Sequence, residues 1–190
     1  MQITEIITRT RWNVEMVHSV IGFKVKHLVV SNMRGEFKDY KAGIYTKSEN
    51  FLNAEVDVSI NPASISTGDV SRDAHLKGPD FFDVENFREI HFRGTGLEKV
   101  KGEIYSLPGD LTIKGITKAI RLDVEFEGVT KSPRGDKRAY FLVTGKINRK
   151  DWGLTWSAVM ESGGVMVGEE IFLYCEIELF KHPDNISANF

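Results

Sequence analysis

The stretch SRDAHLKGPDFFDVENF, residues 71–87, brings basic, acidic and aromatic side chains together within a few positions. Its basic residues Arg72, His75 and Lys77 have the chemistry to bind an anionic or polar head group at the mouth of a pocket. A guanidinium forms bidentate, charge-assisted hydrogen bonds that suit phosphate. Arg149, from the segment INRKDWGL, would assist them. These four residues form a candidate head-group site.

A structural role explains the same charges equally well. On a helix, Asp73 and Lys77 are i,i+4 partners, and Arg72 and His75 are i,i+3 neighbours. They would then form a solvated helix face with internal ion pairs, each contributing only a few tenths of a kcal/mol. The residues alone do not choose between a ligand site and a scaffold.

Phenylalanines surround this charged stretch. The chain contains 12 of them, and Phe81, Phe82, Phe87 and Phe92 lie in or next to it. One interpretation is an ordinary core that fills the protein interior. The other is a cavity that holds a lipid tail. Each buried CH₂ contributes roughly 0.8 kcal/mol, so a long tail needs few polar contacts.

The usual signatures of catalysis and metal binding are missing from the sequence. There is no GxSxG elbow, and Ser19 directly follows His18, so in a strand their side chains point to opposite faces. The histidines form no HxH, HExxH or Cys/His cluster; His18, His75 and His91 would be the first ligands to examine if a metal were found. Cys175 occupies an inward strand position, which indicates a buried structural thiol. We predict no catalytic residue, metal site or cofactor.

Composition limits the classes of protein to which this chain can belong. The 190 residues suit one domain, 1–190, with 41% hydrophobic and 27% charged residues. A net charge of -2 gives no indication of a basic surface that would bind nucleic acid.

No run approaches the ~20 apolar residues of a membrane helix, so stable membrane insertion is not expected. No signal peptide is visible. The expected location is cytoplasmic, or periplasmic where a signal has been removed.

The elements that must position these residues are strands, because apolar and polar residues alternate over long stretches. In residues 52–60, for example, Val56 and Val58 alternate with polar side chains. Strands are predicted at 21–30, 35–46, 52–60, 89–94, 101–105, 109–113, 120–127, 140–148 and 171–179. About eight antiparallel strands favour a closed β-barrel wide enough for one small ligand. A two-sheet sandwich is the rival architecture.

The charged and aromatic stretch interrupts this alternation. Ser71 is a good N-cap for a helix over 72–77, which Gly78 and Pro79 would end. Asp80 would cap a second short helix over 81–86. The sequence therefore predicts a short helical insertion that covers a barrel mouth or flanks the sheet.

Five segments together resemble the YceI-like family. They are WNVEMVHSVIGFKVKHL (12–28) followed by GEF, SISTGDVSRDAHLKGPDFFD (64–83), GDLTIKGITKAI (109–120), INRKDWGL (147–154) and VGEEIFLYCEIEL (167–179). One such motif alone is weak, but five in the family's order are specific. They cover nearly the whole chain.

The resemblance implies an all-β fold, an extended lipocalin-like antiparallel β-barrel. It implies an elongated apolar cavity that binds polyisoprenoids or other long-chain amphiphiles, a homodimer, often a periplasmic location, and no firmly attached catalysis. The chain departs from the family at Arg88, where proline is common, and in lacking a visible export signal. Alternation and the implied cavity together predict a tunnel lined by Phe23, Val25, Phe37, Val56, Val58, Phe81, Phe82, Phe92 and Leu111.

Three functions follow from these patterns. The first is a carrier that binds, and transports or stores, a polyisoprenoid or other long-chain amphiphile. The second is an enzyme or redox accessory acting on a quinone-type isoprenoid lipid. The third is a filled barrel that acts through its surface as a stress or interaction protein. We predict the carrier.

Overall fold

The computed structural model describes residues 9–27, 31–158 and 167–181. The described part is mainly strands, which all belong to one sheet. In chain order the strands are β1 Thr10–Val14, β2 Val20–His27, β3 Ser31–Phe37, β4 Tyr40–Thr46, β5 Glu55–Ile60, β6 Ile65–Ser66, β7 Ile90–Thr95, β8 Glu98–Lys101, β9 Ile104–Ile113, β10 Ile116–Lys131, β11 Lys137–Asn148 and β12 Val167–Lys181.

Eight of these strands close into an antiparallel barrel. Neighbours follow the order β1, β4, β5, β7, β9, β10, β11 and β12, and the ring closes because β1 also pairs with β12. The closing contact joins Val14 to Leu179 and Asn13 to Phe180. The predicted lipocalin-like barrel of about eight strands is confirmed, and the sandwich alternative is wrong.

A branch of three strands extends the sheet from β12, next to the β1–β12 pairing that closes the barrel. The first part of β12 pairs with β2, and β2 pairs with β3 along its length. The short strand β6 covers only the end of β3, through Glu36–Ser66 and Phe37–Ile65. The branch brings Phe23 and Phe37 beside the barrel interior, with ring centroids 5.8 Å apart.

Some predicted strand boundaries are wrong. Residues 35–46 form parts of two strands rather than one, because the chain bends at Lys38 and Asp39 between β3 and β4. The predictions missed β1, β6 and β8, which have five, two and four residues and are too short for clear alternation. The end of the predicted strand 21–30 lies outside the described residues.

The helical insertion is present but differs in detail. One helix, α1 Val70–Lys77, lies in the described part of the chain between β6 and β7. Its N-cap is Asp69, whose side chain accepts from the Arg72 backbone N–H at 2.8 Å. Ser71 therefore lies inside the helix and is not the cap. The predicted end at Gly78 is confirmed, and its N–H donates to the carbonyl of His75.

The predicted second helix over 81–86 is wrong. The backbone N–H groups of Phe82 and Val84 donate to the carbonyls of Leu76 and Lys77, and so satisfy the last turn of α1. Asp83 has φ of 49°, in the left-handed region, which an α-helix does not use. The segment is a series of turns that folds back against α1.

The turn between β10 and β11 leads to a prediction about the stability of the protein at acid pH. The Asp136 carboxylate accepts from Ser132 Oγ at 2.5 Å and from Arg138 Nε at 2.7 Å. These hydrogen bonds, that of Ser132 first, lower the pKa of Asp136 from 3.8 to about 2. A lowered pKa means that the stabilisation is present above about pH 4 and is lost as pH falls toward about 2.

We expect the free energy of unfolding to decrease across that acid range, and the decrease to be smaller in Asp136→Asn. Urea unfolding at stepped pH measures both slopes. Asp110→Asn is the control, because Asp110 is exposed and should keep the wild-type slope. An Asp136→Asn slope equal to that of wild type would contradict the assignment.

Candidate functional site: an apolar cavity in the barrel

The barrel and its branch enclose a cavity of about 270 Å³, close to the lower end of the ~300–1,000 Å³ typical of ligand pockets. Every residue predicted to line a tunnel borders it: Phe23, Val25, Phe37, Val56, Val58, Phe81, Phe82, Phe92 and Leu111. Inward strand positions place most of them, and the segment after α1 adds Phe81 and Phe82. Their contact with a ligand stays a prediction.

The cavity wall is almost entirely hydrocarbon. Among the described lining residues, only Tyr40, Arg149 and Cys175 carry a polar side-chain group. An apolar wall favours apolar chains and opposes ions that have no hydrogen-bond partner. The site therefore suits a hydrocarbon ligand with few polar groups.

Aromatic rings cluster at the end of the barrel that carries the β4–β5 and β10–β11 connections, and two of them, Phe51 and Phe141, border the cavity. Phe51, from the β4–β5 connection, lies 5.0 Å from Trp12, 5.2 Å from Phe126 and 4.9 Å from Phe141, measured between ring centroids. Phe126 and Phe141 stack on each other at 4.7 Å. We call these four residues the aromatic plug. Phe51 has a positive φ of 58°, a costly backbone conformation that its complete burial holds in place.

Arg149 lies toward the other end, where β11 finishes. Asn148 caps the 3₁₀ turn Arg149–Trp152 by accepting from the Lys150 backbone N–H. Arg149 as a whole is only 3% exposed, and its guanidinium donates to the backbone carbonyls of Leu154, Val167 and Gly168. No carboxylate within the described chain forms an ion pair with it. Burial lowers its pKa, partly offset by Glu169.

The other three head-group candidates do not border the cavity. Arg72 donates from Nε to Thr67 Oγ1 at 2.8 Å and from Nη2 to the Thr67 carbonyl at 2.9 Å. Asp73 accepts from the same threonine instead of pairing with Lys77. His75 contacts Asp80 at 3.0 Å. These contacts favour the scaffold interpretation of α1, while a head-group role stays a prediction.

Sequence reasoning missed Tyr40. This residue is the first of β4, its side chain borders the cavity, and it is 7% exposed. Alternation pointed to it, since Tyr40, Ala42 and Ile44 occupy every second position and all three line the cavity. Its hydroxyl makes no hydrogen bond within the described chain.

The remaining reactive groups have ordinary partners. His18 pairs with Glu178 at 2.8 Å and His91 with Asp57 at 3.1 Å. In the described ranges no three His, Cys, Asp or Glu side chains are grouped closely enough to hold a metal ion. Ser19 Oγ accepts from the Glu178 backbone N–H. Burial raises the pKa of Cys175 to about 11, so its thiol is protonated at neutral pH.

No helix in the described ranges has the length and apolarity needed to cross a membrane.

A closed antiparallel barrel of eight strands around an apolar cavity places this protein among the lipocalin-like barrels. The chain belongs to the YceI-like family, since the model of the YceI-like domain matches residues 12–179. A UPF0312 protein of Staphylococcus aureus (strain N315) is 37% identical over 163 residues, covering 85% of this chain and 92% of that protein. The resemblance seen in the five motifs is thereby confirmed.

Solved structures share the fold. A YCEI protein of Campylobacter jejuni, described as crystallizing with large solvent channels, is 34% identical and superposes with a TM-score of 0.71 over 83% of this chain and 90% of that chain. BcnA of Burkholderia cenocepacia gives a TM-score of 0.74 at 19% identity, covering 87% and 99%. A polyisoprenoid binding domain of Saccharophagus degradans gives 0.65 at 13% identity, covering 90% and 98%. At these two lower identities the likeness concerns the fold alone.

Proposed function

We propose that this protein binds a polyisoprenoid or other long-chain amphiphilic lipid inside the barrel, and that it transports or stores that lipid without chemical change. The observation that carries the proposal is the cavity wall, in which the described side chains are apolar apart from Tyr40, Arg149 and Cys175. Each CH₂ transferred from water to such a wall contributes roughly 0.8 kcal/mol. A chain of many methylenes is therefore held by burial alone.

The polar end of the lipid belongs beside Arg149. A guanidinium has five N–H donors, and three backbone carbonyls do not use all of them. The Glu169 carboxylate raises the pKa of this buried guanidinium, but within the described chain Glu169 forms its ion pair with Lys150 and not with Arg149. An anionic or polar head group at this end would supply the missing partner, while the tail extends toward the aromatic plug. Hydrocarbon alone slides easily, so this contact would fix the position of the ligand.

One protein with the same fold is named for this class of ligand. The Saccharophagus degradans domain, which has the same fold, is a polyisoprenoid binding domain. A barrel of this fold can therefore hold an isoprenoid, and in this chain it is the apolar cavity wall that favours such a ligand.

Native mass spectrometry of the purified protein tests the proposal. We expect a mass above that of the 190-residue chain, and organic extraction should release a long-chain lipid of matching mass. Conversion of that lipid during incubation would instead favour an enzyme or redox accessory. Protein without lipid that also fails to take up added farnesol would favour a filled barrel acting through its surface. The same spectrum tests the homodimer that the family resemblance predicts.

Arg149→Met should weaken binding of farnesyl phosphate more than binding of farnesol, because only the phosphate gains a charge-assisted hydrogen bond. Such bonds contribute ~1.5–3 kcal/mol in sheltered sites, so we expect the preference for the phosphate to fall roughly tenfold or more. Competition binding with both ligands measures it.

Arg72→Met is the matched control, since it removes the same group from α1. If Arg72 only holds Thr67, both ligands should bind as they do to wild type, with a small loss of thermal stability. A loss of phosphate preference in Arg72→Met, with Arg149→Met unchanged, would move the head-group site to α1 and contradict the assignment to Arg149.

A further inference from the structure

Four strands near the Arg149 end of the cavity carry a row of basic and aromatic side chains. The pairing register sets Lys146 of β11 opposite Phe172 of β12. Phe172 is in turn opposite Lys24 of β2, which is opposite Arg34 of β3. Residues that are directly opposite each other in antiparallel strands lie on the same face of the sheet. We call Lys146, Phe172, Lys24 and Arg34 the aromatic–basic row.

The row lies on the outer face of the cavity wall. Its neighbours along β12, Ile171 and Leu173, line the cavity, and successive side chains of a strand point to opposite faces. Phe172 is therefore on the outside, where it is exposed. Lys146 precedes Arg149 by three residues, which is roughly 10 Å of extended chain. The row is thus close to the cavity end that holds Arg149.

The row carries positive charge that the described part of the chain does not neutralise. Lys146 Nζ lies 3.4 Å from Glu170 Oε1, but Lys24 and Arg34 form no ion pair among the described residues. Lys24 Nζ instead lies 5.0 Å from the ring centroid of Tyr174, on the same face of β12. The chain as a whole has a net charge of -2, so this positive surface is a local feature.

Two further acidic side chains adjoin the row, and both have partners. Glu36 pairs with Lys38, and the Glu176 carboxylate accepts from the Tyr174 hydroxyl. Neither of these contacts involves Lys24 or Arg34. The cations of the row therefore remain available to negative charge from outside the protein.

An anionic lipid bilayer has the chemistry that complements this surface. Its phosphates attract nearby lysine and arginine side chains, with a gain in affinity of about fivefold for each residue. Amphipathic aromatic rings are enriched where lipid meets water, which suits the exposed Phe172 and the half-buried Tyr174 between the basic side chains. The hydrocarbon stems of lysine can lie along such rings while the ammonium groups reach the phosphates.

We propose that the aromatic–basic row docks the protein on an anionic lipid bilayer, so that lipid passes between bilayer and cavity at the membrane surface. This inference rests on the proposed lipid-binding function. Exposure of each CH₂ to water is unfavourable, so a carrier of long chains gains from exchange that avoids bulk water. Docking changes the rate of transfer and not the affinity of the cavity, because the row lies on the outer face.

Cosedimentation with vesicles tests the docking. One set contains phosphatidylcholine alone, and the other contains equal parts of phosphatidylcholine and phosphatidylserine. Wild type should bind the mixed vesicles and not the neutral ones, and added salt should weaken binding because it screens exposed charges. The triple variant Lys24→Gln/Arg34→Gln/Lys146→Gln should bind the mixed vesicles roughly a hundredfold more weakly.

A matched control removes three basic side chains at the opposite end of the barrel. Lys99 and Lys101 of β8 and Arg134 of the β10–β11 turn are exposed. Lys99 also lies over an aromatic ring, with its Nζ 5.9 Å from the ring centroid of Tyr105. The variant Lys99→Gln/Lys101→Gln/Arg134→Gln has the same net charge as the first triple variant and should bind nearly as wild type does. If both triple variants lose binding equally, net charge alone governs it and the inference is overturned.

Uptake of farnesol from solution separates this inference from the proposed function. Wild type and Lys24→Gln/Arg34→Gln/Lys146→Gln should take up farnesol equally. Wild type that takes up farnesol but does not bind the mixed vesicles overturns the inference and leaves the proposed function intact, whereas wild type that takes up no farnesol overturns both. A wild-type dimer in analytical ultracentrifugation that becomes a monomer in this triple variant would assign the row to contact between two copies, and so overturn the inference as well.

Discussion

Phe82→Asp should abolish lipid binding while the barrel remains folded. Phe82 borders the cavity, and its ring meets that of Phe37 edge-on at 5.8 Å. It belongs to the turns after α1, not to a barrel strand, so the substitution leaves strand pairing intact. A carboxylate here would face the lipid tail without a partner, at a cost large enough to reduce affinity roughly a hundredfold or more.

Lipid occupancy by native mass spectrometry, together with circular dichroism, measures both parts of this expectation. Phe172→Asp is the matched control. Phe172 is 39% exposed, and Lys146 Nζ lies 4.4 Å from its ring centroid, so the same change there should leave occupancy unchanged. A folded Phe82→Asp protein with wild-type occupancy would remove Phe82 from the binding wall.

Trp12→Ala should cause the largest loss of stability, about 3–5 kcal/mol. Trp12 is completely buried, and its indole N–H donates to Thr46 Oγ1. It is also the central residue of β1, the strand that joins β4 to β12 and closes the barrel. Truncation leaves a void beside Phe51 and removes the packing that holds the closing strand.

Urea unfolding measures the change in the free energy of unfolding. Trp156→Ala is a useful comparison, because Trp156 is only partly buried and packs on Phe81 and His75 outside the barrel strands. We expect its loss to be clearly smaller. If the two variants lose equal free energy of unfolding, barrel closure through β1 contributes no more to stability than the contacts of Trp156.

The barrel was predictable from sequence because each long strand has one apolar and one polar face. Alternation around Val56 and Val58 needs no knowledge of distant residues, and the family resemblance supplied the closed architecture. The predicted tunnel residues share this origin, as inward positions on strands or as part of the aromatic stretch after α1.

The hydrogen-bond partners of the polar residues at the site were harder to predict from the sequence. Whether Arg72 serves a ligand or Thr67 depends on where the loop after β6 lies relative to α1, which is a matter of tertiary packing. Arg149 was named as a candidate, but its three carbonyl partners come from segments that follow it in the chain and return to it only in the folded barrel. The missing partner of Tyr40 likewise appears only when all neighbours are placed.

The aromatic plug has a consequence for the kinetics of exchange. If the aromatic plug bars passage of a chain, a lipid held by its head group near Arg149, as proposed, has to withdraw its whole tail through the end by which it entered. Each methylene drawn back into water costs roughly 0.8 kcal/mol, so the spontaneous dissociation rate should fall roughly fourfold per added CH₂. Short prenyl chains would then equilibrate quickly, and long ones would remain bound until an acceptor membrane or protein takes up the emerging tail.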